Sequence, residues 1–118
     1  MPDSISLATL LDEFPCRLLT ASAGESREIS GGYACDLLSW VISRVKSGDV
    51  WLTILNSVNV LAVATLSDCA CVMLTEGVEM DSQLLERARE KDVIVLATDL
   101  PTWEASVLLA DLLRKERA

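Results

Sequence analysis

The most reactive side chains in this sequence are four cysteines, Cys16, Cys35, Cys69 and Cys71, and no histidine accompanies them. Structural zinc sites are built from Cys-x-x-Cys pairs or from cysteine with histidine, and neither pattern occurs. Cys69-x-Cys71 places two thiols on one side of an extended segment. Two readings follow for the pair: small buried apolar residues of a reducing compartment, or a metal or redox site. General-base and triad chemistry lacks its usual histidine. No G-x-S-x-G nucleophile elbow and no G-x-x-x-x-G-K-[ST] phosphate loop occurs. The acidic residues are scattered over helix starts and turns, where capping is their ordinary role. The expectation is a protein without catalytic residues, metal or cofactor.

Polar residues at the ends of apolar runs offer binding rather than reaction. In an open parallel sheet, ligands sit beyond the carboxyl ends of the strands. Those ends carry Thr20 and the loop to Gly32, then Asn56-Ser57, Thr75-Glu76-Gly77 and Thr98-Asp99. Such a rim can hydrogen-bond a small polar molecule, or it can simply cap helices and close turns. Gly31, Gly32, Asn56, Thr75 and Thr98 are the candidate ligand contacts. Gly31-Gly32 reads either as backbone that approaches an anion at a helix start or as a tight turn.

The elements that must position this rim follow from periodicity. Leu7, Leu10 and Leu11 repeat at helical spacing after a Ser4 or Asp3 cap, and Pro15 ends that helix. Residues 16–20 read as a strand and 21–32 as a loop, with a short extended piece at 27–29. From Tyr33 to Lys46 the residues Ala34, Leu37, Leu38, Val41, Ile42 and Val45 form one helical stripe. Strands are expected at 51–55, 70–74 and 93–97. Helices are expected at 60–66, with Asn59 as cap, at 81–91, with Asp81 as cap, and from Pro101 to about Lys115. A helix followed by alternating strands and helices gives an α/β class with a parallel sheet covered on both faces. The runs Cys71–Leu74 and Val93–Ala97 are apolar on both sides, as covered strands are.

The bulk numbers agree. A chain of 118 residues is one domain, residues 1–118, and 51% hydrophobic residues are ample for a core. Aromatics are only 4%, so that core is aliphatic. A net charge of −8 without a Lys/Arg cluster argues against nucleic acid and anionic membranes. No apolar run approaches the ~20 residues of a membrane span. Met1-Pro2-Asp3-Ser4 lacks the basic start of a secretory signal, so the cytoplasm is the expected compartment. Some apolar residues fall outside the core stripes. Tyr33 and Trp40 lie about a third of a turn off theirs. On the last helix Ala105, Leu108, Leu109, Leu112 and Leu113 face inward, while Trp103, Val107 and Ala110 fall nearly opposite. A helix apolar on two sides is normally covered on both, which predicts a homodimer using Trp103, Val107, Trp40 and Tyr33, or a partner protein at the same residues.

Four stretches resemble a known family: Ser30-Gly-Gly-Tyr-Ala-Cys-Asp-Leu-Leu-Ser-Trp-Val41, Gly48-Asp-Val-Trp-Leu-Thr-Ile54, Asn59-Val-Leu-Ala-Val-Ala64 and Thr75-Glu-Gly-Val78. Together they resemble a stand-alone DRTGG domain over nearly the whole chain. The naming motif would fall on Glu28-Ile29-Ser30-Gly31-Gly32, where the glycines match and Ile29 replaces an arginine. The resemblance implies a three-layer α/β/α sandwich similar to the N-terminal domain of HPr kinase/phosphorylase. It implies a regulatory, dimer-forming role, as in domains that accompany phosphotransacetylases or nucleotide-sensing CBS pairs in pyrophosphatases. It also implies two working hypotheses. One is a non-catalytic regulatory module that binds a small polar ligand such as a nucleotide. The other is an accessory subunit beside iron-only hydrogenase components, with no small ligand. Kinase activity is not implied, because the phosphate loop is absent.

Overall fold

The computed structural model describes residues 4–20 and 27–117. Its strands are β1 (Ile5–Ser6), β2 (Arg17–Leu18), β3 (Glu28–Ile29), β4 (Gly31–Ala34), β5 (Asp49–Thr53), β6 (Cys71–Leu74) and β7 (Val95–Ala97). Its helices are α1 (Leu7–Glu13), α2 (Leu38–Arg44), α3 (Val58–Ser67), α4 (Ser82–Glu90) and α5 (Thr102–Arg117). A five-stranded sheet runs in the order β2-β7-β6-β5-β4. Strands β4 to β7 are mutually parallel, and β2 joins the β7 edge antiparallel. β1 and β3 form a small separate antiparallel pair.

Strand alternation divides the apolar residues between two cores. Val50, Leu52, Cys71, Met73 and Leu96 face α1 and α5, where Leu7, Leu10, Ala105 and Leu109 meet them. Trp51, Val72, Leu74, Val95 and Ala97 face α2, α3 and α4, where Val41, Val60, Leu61 and Ala88 meet them. Both faces of the sheet are therefore covered, and the architecture is the α/β/α sandwich with a mainly parallel sheet. The helix starts are chemically specified. Ser6 Oγ accepts from the Thr9 N–H at 3.1 Å to open α1, and Asp81 Oδ1 accepts from the Leu84 N–H at 2.9 Å to open α4. Asp68, left-handed at φ 58°, closes α3.

The largest departure from expectation lies between Tyr33 and Lys46. Its first residues pair with β5 as strand β4, and only Leu38–Arg44 is helical. Tertiary pairing overrides the 3.6 period there. The Cys35 carbonyl accepts from Trp51 Nε1 at 2.8 Å, and Asp36 Oδ1 accepts from Thr53 Oγ1 at 2.7 Å and from the Ile54 N–H at 3.0 Å. These bonds pin residues 35–36 to the end of β5. Leu37 and Ile42, expected in the inner stripe, are exposed, and Val41 alone is buried within α2. Leu108 of α5 is likewise exposed at the margin of its stripe.

The strand at 16–20 is also corrected. It shortens to β2 and runs against the others, so its end Thr20 lies at the amino ends of the parallel strands, where its Oγ1 accepts from the Val95 N–H at 3.2 Å. The fourth parallel strand is β4. The extended piece at 27–29 exists as β3, whereas residues 21–26 of the expected loop lie outside the described residues. The 60–66 helix forms as α3, opening at Ser57 rather than at Asn59.

Candidate functional site

Three of the five candidate ligand contacts, Asn56, Thr75 and Thr98, follow the ends of β5, β6 and β7 at the carboxyl edge. Gly31 and Gly32 do not join them. They begin β4, opposite Asp49 and Val50, and so lie at the amino edge. Neither opens a helix, and neither has a positive φ.

At the carboxyl edge, the polar groups satisfy one another. Thr75 is 0% exposed, and its hydroxyl shares a 2.6 Å hydrogen bond with that of Thr102. Thr98 is buried too; its hydroxyl donates to the Pro15 carbonyl at 2.8 Å and accepts from the Leu100 N–H at 3.2 Å. Asn56 Nδ2 donates to the Glu79 carbonyl at 2.8 Å, tying two loops together. At the first turn of α5 an acidic side chain already takes the place of an anion: the Thr102 N–H donates to the Glu76 carboxylate at 2.8 Å. No buried side-chain nitrogen or oxygen is left unpaired among the described residues. Two open clefts flank the Arg17–Asp99 pair, whose side chains lie 3.5 Å apart: one of about 350 Å³ beside Pro15 and Leu100, the other of about 480 Å³ beside Glu79 and Met80.

The glycine pair is explained by packing. A Cβ on Gly32 would stand 2.9 Å from Leu109 Cδ2 of α5, and a Cβ on Gly31 would stand 2.8 Å from Asp49 Oδ1. That carboxylate is in turn occupied, because its Oδ2 accepts from the Lys46 N–H at 2.8 Å. The missing side chains let α5 and Asp49 close on the outer strand. Between β4 and α5 the structure leaves a groove of about 490 Å³, floored by Gly32 and Leu52 and walled by Leu109, Ala110, Leu113 and Arg114. This is within the size range of small-molecule sites. Spacing alone did not announce it, because its two sides are far apart in sequence.

The cysteines are structural in their surroundings. Cys69 packs with the α2–α4 core and Cys71 with the α1/α5 core, so the two do not share one side as expected. Burial pushes the Cys69 thiol up to about 11, against opposing help from Ser67 and Arg27. Burial likewise pushes Cys16 up to about 11 and Cys71 higher still. A raised thiol is a poor nucleophile and a poor metal ligand at neutral pH. Among the described residues no group of three His, Cys, Asp or Glu side chains converges to hold a metal ion.

The expected interface residues are divided by the sheet. Trp103 is 77% exposed and stands with the partly exposed Val107 on the outer side of α5. Trp40 is 48% exposed on α2, which covers the opposite face, and it stacks under Arg44 at 3.7 Å. Tyr33 is half-buried on β4, not on a helix, and packs toward the α2 side. On the same layer Leu37 and Ile42, expected in the inner stripe, are exposed on α2, as are Val58 and Leu66 on α3. No helix among the described residues is long and apolar enough to cross a membrane.

The family model described as "DRTGG domain" matches residues 34–112. That span begins just beyond the Gly31-Gly32 pair. No curated protein matches. Among solved structures, the chain is similar to the CBS and DRTGG domains of the regulatory region of Clostridium perfringens pyrophosphatase, a structure complexed with the activator diadenosine tetraphosphate. The two share 16% identity at a TM-score of 0.71, over 87% of this chain and 45% of that one. The chain thus spans less than half the length of this neighbour.

Proposed function

Because the chain belongs to the DRTGG domain family, we propose that it is a non-catalytic regulatory module that works by association, first of all with a second copy of itself. The observation that carries this reading is the outer side of α5. Trp103 is 77% exposed there, beside exposed Val107 and Ala110, whereas the strand-end polar groups are paired internally. Aromatic side chains so placed are the usual anchors of protein contacts. Sedimentation of the full chain at micromolar concentration tests it: a dimer is expected, and a monomer at every accessible concentration removes the reading. A heteromeric accessory role is favoured by the apolar residues exposed on the other layer, Leu37, Trp40 and Ile42 of α2 and Val58 and Leu66 of α3.

A small polar ligand such as a nucleotide belongs to the same proposal, in the groove between β4 and α5. Gly31, Gly32, Ser30, Ser106 and the Arg114 guanidinium give that groove backbone, hydroxyl and cationic groups. The activator held by the pyrophosphatase regulatory region makes adenine nucleotides the first probes. Occupancy at about 100 times the dissociation constant adds about 2.7 kcal/mol of stability. A flat thermal-shift response across a nucleotide panel removes the ligand and leaves association intact.

A further inference from the structure

We infer that two copies associate through antiparallel α5 helices, so that Trp103 of each enters the β4/α5 groove of the other; this rests on the association reading above. The outer side of α5 carries Trp103, Val107, Ala110 and Arg114 at i, i+4, i+7 and i+11, all exposed. Ala110 and Arg114 also form the wall of the groove. The stripe and the groove are therefore one surface, with the indole at one end and the cavity toward the other. Trp103 and Arg114 are separated by about 16 Å along the axis. A second helix laid antiparallel on the stripe, its two-fold axis between Val107 and Ala110, brings the indole of one copy over the cavity of the other. The small Ala110 leaves room for close approach at the centre.

Charge selects the antiparallel sense. Glu104 lies in the first turn of α5; near its end lie Lys115 and Arg114, the latter already paired with Asp111 one turn before it. Antiparallel seating sets Glu104 of each copy near Arg114 and Lys115 of the other. Parallel seating stacks like charges on a chain whose net charge is already −8. The guanidinium of Arg114 then meets an indole face, the arrangement this chain already uses between Arg44 and Trp40. The groove lining of Leu52, Leu109 and Leu113 is apolar, as an indole requires.

The test is sedimentation equilibrium of the full chain with four variants, their folding verified by circular dichroism melts. Trp103→Ala weakens the dimer by about 30-fold or more, the size of an anchor lost from an interface. Ala110→Arg, at an exposed position, blocks the groove and has the same effect. Glu104→Arg weakens association, and adding Arg114→Glu to it restores association above either single variant. A wild-type dimer whose affinity survives both Trp103→Ala and Ala110→Arg overturns the exchange and leaves the association reading standing. A wild-type monomer removes both. A double charge variant no tighter than the singles overturns the antiparallel sense.

Discussion

The threonines that close the parallel strands show how a side chain chosen for binding can instead be consumed by the fold. Thr98 donates to Pro15 and accepts from Leu100 without any exposed surface, so it joins the end of β7 to the start of β2. Thr98→Val keeps the shape and strands a carbonyl and an N–H. Unfolding in urea is expected to show a loss of about 1–3 kcal/mol with an unchanged slope. The thiols make a second case at this scale. Cys69 ionises near 9.0 when unfolded and near 11 when folded, so the fold favours its neutral form. Between those values the unfolded chain binds fewer protons, and stability falls as pH rises. That stability is complete below pH 9 and is lost through pH 11, about 3 kcal/mol for this thiol. Melting temperatures across pH 8 to 11 check the sign. Cys69 and Cys71 should also resist a thiol reagent at neutral pH until the chain unfolds.

Elements with a local code were legible, and elements decided by a distant neighbour were not. The Asp81 cap and the amphipathic run after it define α4, and the two-sided apolar runs define β6 and β7, so these elements were found to within a residue or two. The start of the expected long helix was misplaced because Gly31–Ala34 pairs with β5, a partner eighteen residues onward, which no window on 33–46 contains. The same blindness hid the groove, whose walls come from β4 and α5. It also left the glycine pair reading as a turn or an anion site. In the fold these glycines admit α5 to the sheet, which gives a sharp expectation. Gly32→Ala drives a methyl against Leu109 Cδ2, and the helix or the leucine must yield. The expected loss is about 1–3 kcal/mol by thermal or chemical melting. Gly48→Ala is worse placed, since Gly48 sits at φ 94° and an added Cβ would meet Ser30 Oγ at 2.5 Å.

At the scale of the whole molecule, the two cores leave different outer surfaces. The α5 side is a helix with charge at both ends of an apolar stripe, whereas α3 presents Val58, Ala62 and Leu66 without a single charged residue in its span. Composition foretold that apolar residues would be in excess, but not that Trp40 and Trp103 would be parted by the sheet, because handedness and layer are properties of the assembled topology. If a nucleotide and Trp103 of a second copy share one groove, their binding is linked with opposite sign. Saturating nucleotide should then loosen the dimer by the same factor by which dimerisation loosens the nucleotide. Sedimentation with and without the ligand reads that factor directly.

The five-stranded sheet ends differently on its two sides. At one margin β2 is two residues long and reversed; at the other β4 borders only β5 and presents Gly-Gly-Tyr-Ala without a charge or proline. A filament grown by strand addition needs a head that fits a tail, repeated without end. Here the short reversed margin gives the growing ribbon nothing to stack on. Lateral joining through β4 is therefore expected to close as a pair of copies rather than to extend as a ribbon.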